Sequence, residues 1–313
     1  MGVIGFGAWA IGGPARLGGQ AIGWGAIDPD ETGELLGALP DLGVNVIDTA
    51  DVYGRGRSEG RIGAVFGDEG GRRDEVFLVT KAGNREIDGQ AIKDYSPTWL
   101  GQALRGSLRR LGVERVDLFL LHTPDPDFDF PEDTRLACEG LVEEGMCDAW
   151  GVSVANPEQG VRAVDAGFGS VLQVIHNLLD RRAERTLFDH AKANQVGIMA
   201  RVPLASGFLA AKRSPHEEFT PDDWRSRWNP ADIARRGEAG RRLRELCEAE
   251  ESPAVLALRF ALTHPTVGVV IPGARTLAQA RTNASAGDLG PLDNERLGEI
   301  EAAMHSFVDP VNA

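Results

Sequence analysis

The stretch Ile47-Asp48-Thr49-Ala50-Asp51-Val52-Tyr53-Gly54 decides the reading of this chain. It follows an apolar, β-like run, Val44-Asn45-Val46-Ile47, and opens a polar loop that offers a carboxylate and a phenol five residues apart. Two later runs end in the same manner: Glu75-Val76-Phe77-Leu78-Val79-Thr80 leads to Lys81, and Val116-Asp117-Leu118-Phe119-Leu120-Leu121 leads to His122. Three successive strands thus carry Asp48, Tyr53, Lys81 and His122 at or just past their carboxyl ends. In a parallel α/β barrel all such ends lie on one face, so these residues converge there. A carboxylate, an ammonium, a phenol and an imidazole at one mouth suit proton donation from a tuned phenol, and hence carbonyl reduction by a hydride cofactor.

Working outward, eight β-rich runs alternate with helical patterns: residues 3–8, 44–49, 75–80, 115–121, 149–154, 170–175, 197–202 and 267–271. Most are continuously apolar, as strands are when both faces of a sheet are covered. Helix starts are marked by a capping side chain before a first-turn proline at Asp28-Pro29, Ser96-Pro97, Asn156-Pro157 and Ser252-Pro253. The stripe Leu100, Leu104, Leu108, Leu111 runs to a stop at Gly112. Eight strand–helix units favour a closed (β/α)8 TIM barrel over an open sheet. No linker divides the chain, which reads as a single domain over 1–313 with a long loop insertion at about 210–240. That loop holds Lys212-Arg213-Ser214-Pro215-His216 and two tryptophans, Trp224 and Trp228. It is either a binding lid at the active face or a surface decoration.

The 313 residues carry 42% apolar and 26% charged side chains, ordinary for a folded soluble protein. A net charge of −14 argues against nucleic-acid or anionic-membrane partners. Cys138, Cys147 and Cys247 have neither metal-ligand nor redox-motif spacing and read as reduced thiols of a cytoplasmic protein. The start of the chain lacks the pattern of a secretion signal, and no apolar run approaches the ~20 residues that span a bilayer.

Taken together, the motifs resemble the aldo-keto reductase superfamily, in its bacterial general aldo/keto reductase form. The resemblance covers nearly the whole chain, from Gly5-Phe6-Gly7 to Gln279 and Asn283. It rests on Asp48–Gly54, Lys81, Leu121-His122, Gly151-Val152-Ser153, Gln173, Val202-Pro203-Leu204 and Ile271-Pro272-Gly273-Ala274-Arg275, in the family's order. It implies that Tyr53 is the general acid, with a phenol pKa pulled down from ~10 by Lys81. Asp48 would keep Lys81 cationic, and His122 would orient the substrate carbonyl. No metal is implied.

The resemblance also implies NADPH/NADP+ as cofactor, in a chain without a Gly-x-Gly-x-x-Gly fingerprint. Ser153 and Gln173 would meet the nicotinamide amide. Val154 stands where relatives carry asparagine, and Asn156 is the candidate replacement. Relatives place an aromatic or small residue against the nicotinamide near the end of the seventh strand, where this chain has Arg201. Arg201 is read either as a partner of a cofactor phosphate or substrate anion, or as a rim arginine paired with a carboxylate. Pro203, Leu204, Ser206, Gly207 and Leu209 resemble the loop that covers the pyrophosphate, although a left-handed turn alone explains Gly207. Gly273 and Arg275 precede a helix whose amides suit an anion, and Arg275 suits the 2′-phosphate of NADP. Gln279 and Asn283, four apart on one helix face, would contact the adenine.

Trp9 and Trp24 are the candidate walls of the substrate pocket. The acids of Thr123-Pro124-Asp125-Pro126-Asp127-Phe128-Asp129-Phe130 hint at a rim that discourages anionic substrates. The expected partner is a small carbonyl substrate, handled by a monomer or small homo-oligomer. Two other readings stand beside this one: a Schiff-base barrel lyase using Lys81, and a non-catalytic NADPH-binding regulatory subunit.

Overall fold

The computed structural model describes residues 2–210, 214 and 216–308. Its main sheet has eight parallel strands in sequential order. They are β1 (Phe6–Gly7), β2 (Val46–Asp48), β3 (Phe77–Ala82), β4 (Val116–His122), β5 (Cys147–Ser153), β6 (Val171–Ile175), β7 (Gly197–Arg201) and β8 (Val267–Ile271). The sheet closes where Gly5 N donates to Val270 O at 2.8 Å and Gly7 N to Pro272 O at 2.9 Å. The fold is therefore the (β/α)8 barrel expected, and every predicted run overlaps its strand, with β3, β4 and β5 extending one or two residues beyond the predicted bounds.

Continuous apolar strands serve two cores at once. Val46, Val79, Leu118, Leu120, Met199, Val269 and Ile271 fill the barrel, while the alternate residues pack outward against the helices. Among the proline-led helices, Asp28, Ser96 and Asn156 each accept a first-turn amide hydrogen bond. Ser252 does not, although its helix Pro253–Thr263 forms. Gly112 ends Pro97–Leu111 in the left-handed conformation, as its position suggested.

Two features depart from the expected outline. Short antiparallel hairpins, Arg16–Leu17 with Gln20–Ala21 and Asn84–Ile87 with Gln90–Lys93, rise beside the carboxyl-terminal face. The segment read as loop to about residue 240 is helical from Pro230, where Asn229 caps Pro230–Leu246 and buries Ile233, Gly237 and Gly240. The Asn-Pro start was present in the sequence but hidden by the arginine-rich run that follows. Within that segment Lys212, Arg213 and Pro215 lie outside the described residues. No helix among the described residues is long and apolar enough to cross a membrane.

Candidate active site

The four residues of the opening motif meet at the carboxyl end of the barrel. Asp48 ends β2, Lys81 is the penultimate residue of β3, His122 ends β4, and Tyr53 opens a short 3-10 turn after β2. A backbone contact sets that turn: a Cβ on Gly12 would fall 2.7 Å from Gly54 N, and one on Gly54 2.2 Å from Gly12 O. Only glycine at both positions lets the two loops touch. Behind the turn, Glu59 accepts from Thr80 Oγ1 and from Arg110 Nε, both at 2.6 Å, and Ser58 donates to Ala8 O at 2.9 Å. These bonds tie the helix after Tyr53 to the strand ends.

Lys81 is fully buried and bridges the group. Its Nζ donates to Asp48 Oδ2 and to Thr49 O, both at 2.8 Å, and to Tyr53 Oη at 3.3 Å. Burial, the largest single influence, would lower the ammonium pKa, but Asp48 and Tyr53 together outweigh it and hold Lys81 above its ordinary value. Gln173 reaches across the mouth and donates to Asp48 Oδ1 at 2.7 Å, so both carboxylate oxygens have partners. Enclosure pushes the Tyr53 phenol up against the pull of Lys81. This corrects the expectation of a depressed phenol: desolvation outweighs an ammonium whose charge is already shared with Asp48. Burial, helped by Lys81 and Arg201, holds the His122 imidazole well below its usual pKa, and its Nδ1 has no partner. His122 is therefore neutral at pH 7. Its carbonyl is fixed by Asn84 Nδ2 at 3.0 Å and Tyr95 Oη at 2.9 Å.

One cavity of about 710 Å³ starts at these groups. Tyr53, Asp48 and His122 line one end, beside Trp9 and Trp24. Trp9 stacks on Tyr53 with ring centroids 5.8 Å apart and donates to Ile22 O at 2.8 Å. Trp24 meets Trp9 edge-on, and the Arg225 guanidinium covers it at 4.5 Å. The cavity passes Ser153, Gln173 and Arg201, then Pro203, Leu204, Ser206 and Gly207, and ends at Gly273, Arg275, Gln279 and Asn283. Strand register aligns the floor, with His122 opposite Ser153 and Ser153 opposite Gln173. Val202 and Thr123, both β-branched, sit at φ 55° on this wall, a strained conformation found at strand ends that serve a site. Gly207 has φ 91°, so its turn demands glycine whatever the cavity holds.

At the far end Thr276 caps the helix Leu277–Leu289, and the Arg275 guanidinium donates to Trp24 O at 3.4 Å and to Ala26 O. It pairs with no carboxylate among the described residues. Gln279 accepts from Arg275 N at 2.8 Å, and Asn283 donates to Gly273 O at 3.3 Å.

Some predicted residues are elsewhere. Asn156 does not line the cavity; its Oδ1 accepts from Gln159 N at 2.8 Å, because the residue before a helix-opening proline is claimed by the cap. Leu209 is buried in the core behind the loop. Among the described residues Arg201 is not paired with a rim carboxylate; it donates to Val154 O at 3.0 Å. Asp125, Asp127 and Asp129 do not line the cavity, and Asp125 pairs with Lys93 at 2.8 Å, so they set no acidic rim. The sequence reading missed Asn84, Thr123, Arg225 and Ser252, all on the cavity wall. Ser252 stands where a cap is expected, yet its hydroxyl makes no capping bond.

The aldo/keto reductase profile matches residues 3–305. This chain belongs to the aldo/keto reductase family. It is 30% identical to aldo-keto reductase YhdN of Bacillus subtilis, over 88% of this chain and 82% of that protein. It is 32% identical to a probable voltage-gated potassium channel subunit beta of Oryza sativa, over 90% of this chain and 89% of that one. Among solved structures, the glycerol dehydrogenase AKR11B4 of Gluconobacter oxydans superposes with a TM-score of 0.79 at 26% identity, covering 99% of this chain and 93% of its own. The holo form of AKR11C1 from Bacillus halodurans gives 0.78 at 26%, covering 96% and 91%. Like its family, the chain is an oxidoreductase.

Proposed function

We propose that this member of the family reduces an aldehyde or ketone to an alcohol with NADPH, Tyr53 being the general acid. The observation that carries the reading is the position of Lys81 Nζ, 2.8 Å from Asp48 and 3.3 Å from the Tyr53 hydroxyl at the closed end of an elongated cavity. Tyr53 keeps its proton at rest because its pKa is raised. When that proton leaves for the carbonyl oxygen, the phenolate forms beside an ammonium that Asp48 keeps charged. His122, held neutral, donates one N–H to the same oxygen and fixes its direction.

The cavity suits a phosphorylated dinucleotide. Arg275 is exposed and free of any carboxylate among the described residues, at the start of a helix whose amides point to the same end. Arg275 and Gly273 would hold the 2′-phosphate end, Gln279 and Asn283 the adenine, and Pro203, Leu204, Ser206 and Gly207 the pyrophosphate. Ser153 and the amide oxygen of Gln173 would hold the carboxamide, the amide nitrogen being engaged by Asp48. The reduced nicotinamide, when bound, supplies hydride to the carbonyl carbon. Trp9 and Trp24 wall the substrate. We place the enzyme in the cytoplasm, as a monomer or small homo-oligomer.

A Schiff-base role for Lys81 finds no support, since its amine is sealed behind Tyr53 and absent from the cavity wall. The likeness to potassium channel beta subunits favours one rival, a dinucleotide-binding subunit without turnover. The test is loss of reduced-nicotinamide absorbance across a panel of polyols' carbonyl forms, sugars, aromatic aldehydes and keto-steroids. NADPH-dependent turnover of at least one class is expected. Tight NADPH binding with no turnover on any would favour the rival.

A further inference from the structure

The cavity carries a cation that the proposed chemistry does not use. Arg201 ends β7 and faces the cavity half-buried; its guanidinium donates to Val154 O at 3.0 Å, and its Nε has no hydrogen-bond partner among the described residues. The two carboxylates that feel its charge are already paired, Asp48 with Lys81 at 2.8 Å and Asp180 with Arg182 at 2.7 Å. The other polar side chains at this end, Ser153, Gln173 and the neutral His122, carry no charge to offset it. With Lys81 and Asp48 paired to each other, Arg201 is the cation at the reacting end whose guanidinium has no carboxylate partner among the described residues.

We propose that Arg201 makes this cavity discriminate the oxidation state of its cofactor, holding the reduced dinucleotide more tightly than the oxidised one. The inference rests on the dinucleotide reading above. A dinucleotide anchored at Arg275 reaches Tyr53 only with its ring at the opposite end of the cavity, the end that Arg201 shares. When the ring gives up hydride to the carbonyl carbon, and Tyr53 gives its proton to the oxygen, a neutral dihydropyridine becomes a pyridinium cation. Phosphates, riboses and adenine are identical in the two forms, so the difference in affinity reports the field at the ring. A like charge sharing that end of the cavity, at an effective dielectric of ~20, changes affinity by about tenfold or more. The consequence for turnover is easier release of the oxidised product, set against a less favourable hydride transfer while the cofactor is bound.

The test needs no substrate. NADPH and NADP+ are titrated separately into the wild type, Arg201→Met and Arg201→Lys, and binding is followed by calorimetry or tryptophan fluorescence. In the wild type the ratio of Kd for NADP+ to Kd for NADPH should lie well above one. Arg201→Met should lower that ratio about tenfold, chiefly by tightening NADP+, and Arg201→Lys should keep most of it. Equal Kd values in the wild type would overturn the proposal without any variant, as would an unchanged ratio in Arg201→Met. A lysine variant that behaves like the methionine one would assign the effect to shape and also overturn it. Failure of the wild type to bind either form would remove the dinucleotide reading itself.

Discussion

The two ends of the cavity solve opposite problems. At the Tyr53 end the catalytic charges are dry and satisfy one another: Lys81 and Asp48 are buried and bonded at 2.8 Å, Gln173 takes the remaining carboxylate oxygen, and Arg201 beside them leans on a main-chain carbonyl. At the Arg275 end the guanidinium is exposed, leans on main-chain carbonyls and faces outward from a helix start. A buried pair is strongly coupled to the fold, because removing one partner strands the other in low dielectric. An exposed cation contributes little to stability and is available to a ligand. Changes at the first end should therefore cost fold and chemistry together, and changes at the second should cost affinity alone.

Lys81→Met breaks the comparison most severely. It leaves the Asp48 carboxylate unpaired, so stability should fall by about 3–5 kcal/mol, or roughly 10 °C in Tm, along with most of the turnover. Calorimetry and steady-state rates check it. Arg275→Met should weaken NADPH about tenfold or more, leave NADH nearly unaffected and hold Tm within about 1–2 °C. Competitive titrations of the two cofactors decide this. Titration of His122 gives a smaller effect with a definite sign. Its folded pKa is depressed, so the unfolded chain takes up its proton first as pH falls. Stability from this group is complete above about pH 6.5 and is lost below it by up to about 1.4 kcal/mol per pH unit. Replacing His122 by Asn should flatten urea-unfolding stability between about pH 6.5 and 5. Asn156→Ala should cost about 1 kcal/mol through its lost cap, with cofactor Kd unchanged; weaker NADPH binding would return Asn156 to the site.

The same contrast explains what was legible in the sequence. Strand ends announce themselves by apolar runs that stop at Asp48, Lys81 and His122, and barrel topology then brings them together whatever separates them in the chain. The far end of the cavity is legible through Arg275 and the helix that follows it for a similar local reason, and both line the cavity. What escaped was side-chain competition. Asn156 precedes a proline and is consumed as a cap, whereas Ser252 precedes a proline and is not; sequence spacing is the same in both. The sign of the Tyr53 shift depends on how fully the ring is enclosed and how far Lys81 is shared with Asp48, both three-dimensional quantities. Asn84 supports His122 from a hairpin of two four-residue strands, largely polar and too short to stand out.

The central claim is that Tyr53 is the proton donor at the dry end and takes no part in holding the dinucleotide. Single-turnover reduction by Tyr53→Phe, measured beside its Kd for NADPH, tests it most directly. The account predicts a rate lower by about 10²–10⁴-fold with Kd changed by less than about threefold. A hydride-transfer rate equal to that of the wild type would contradict it.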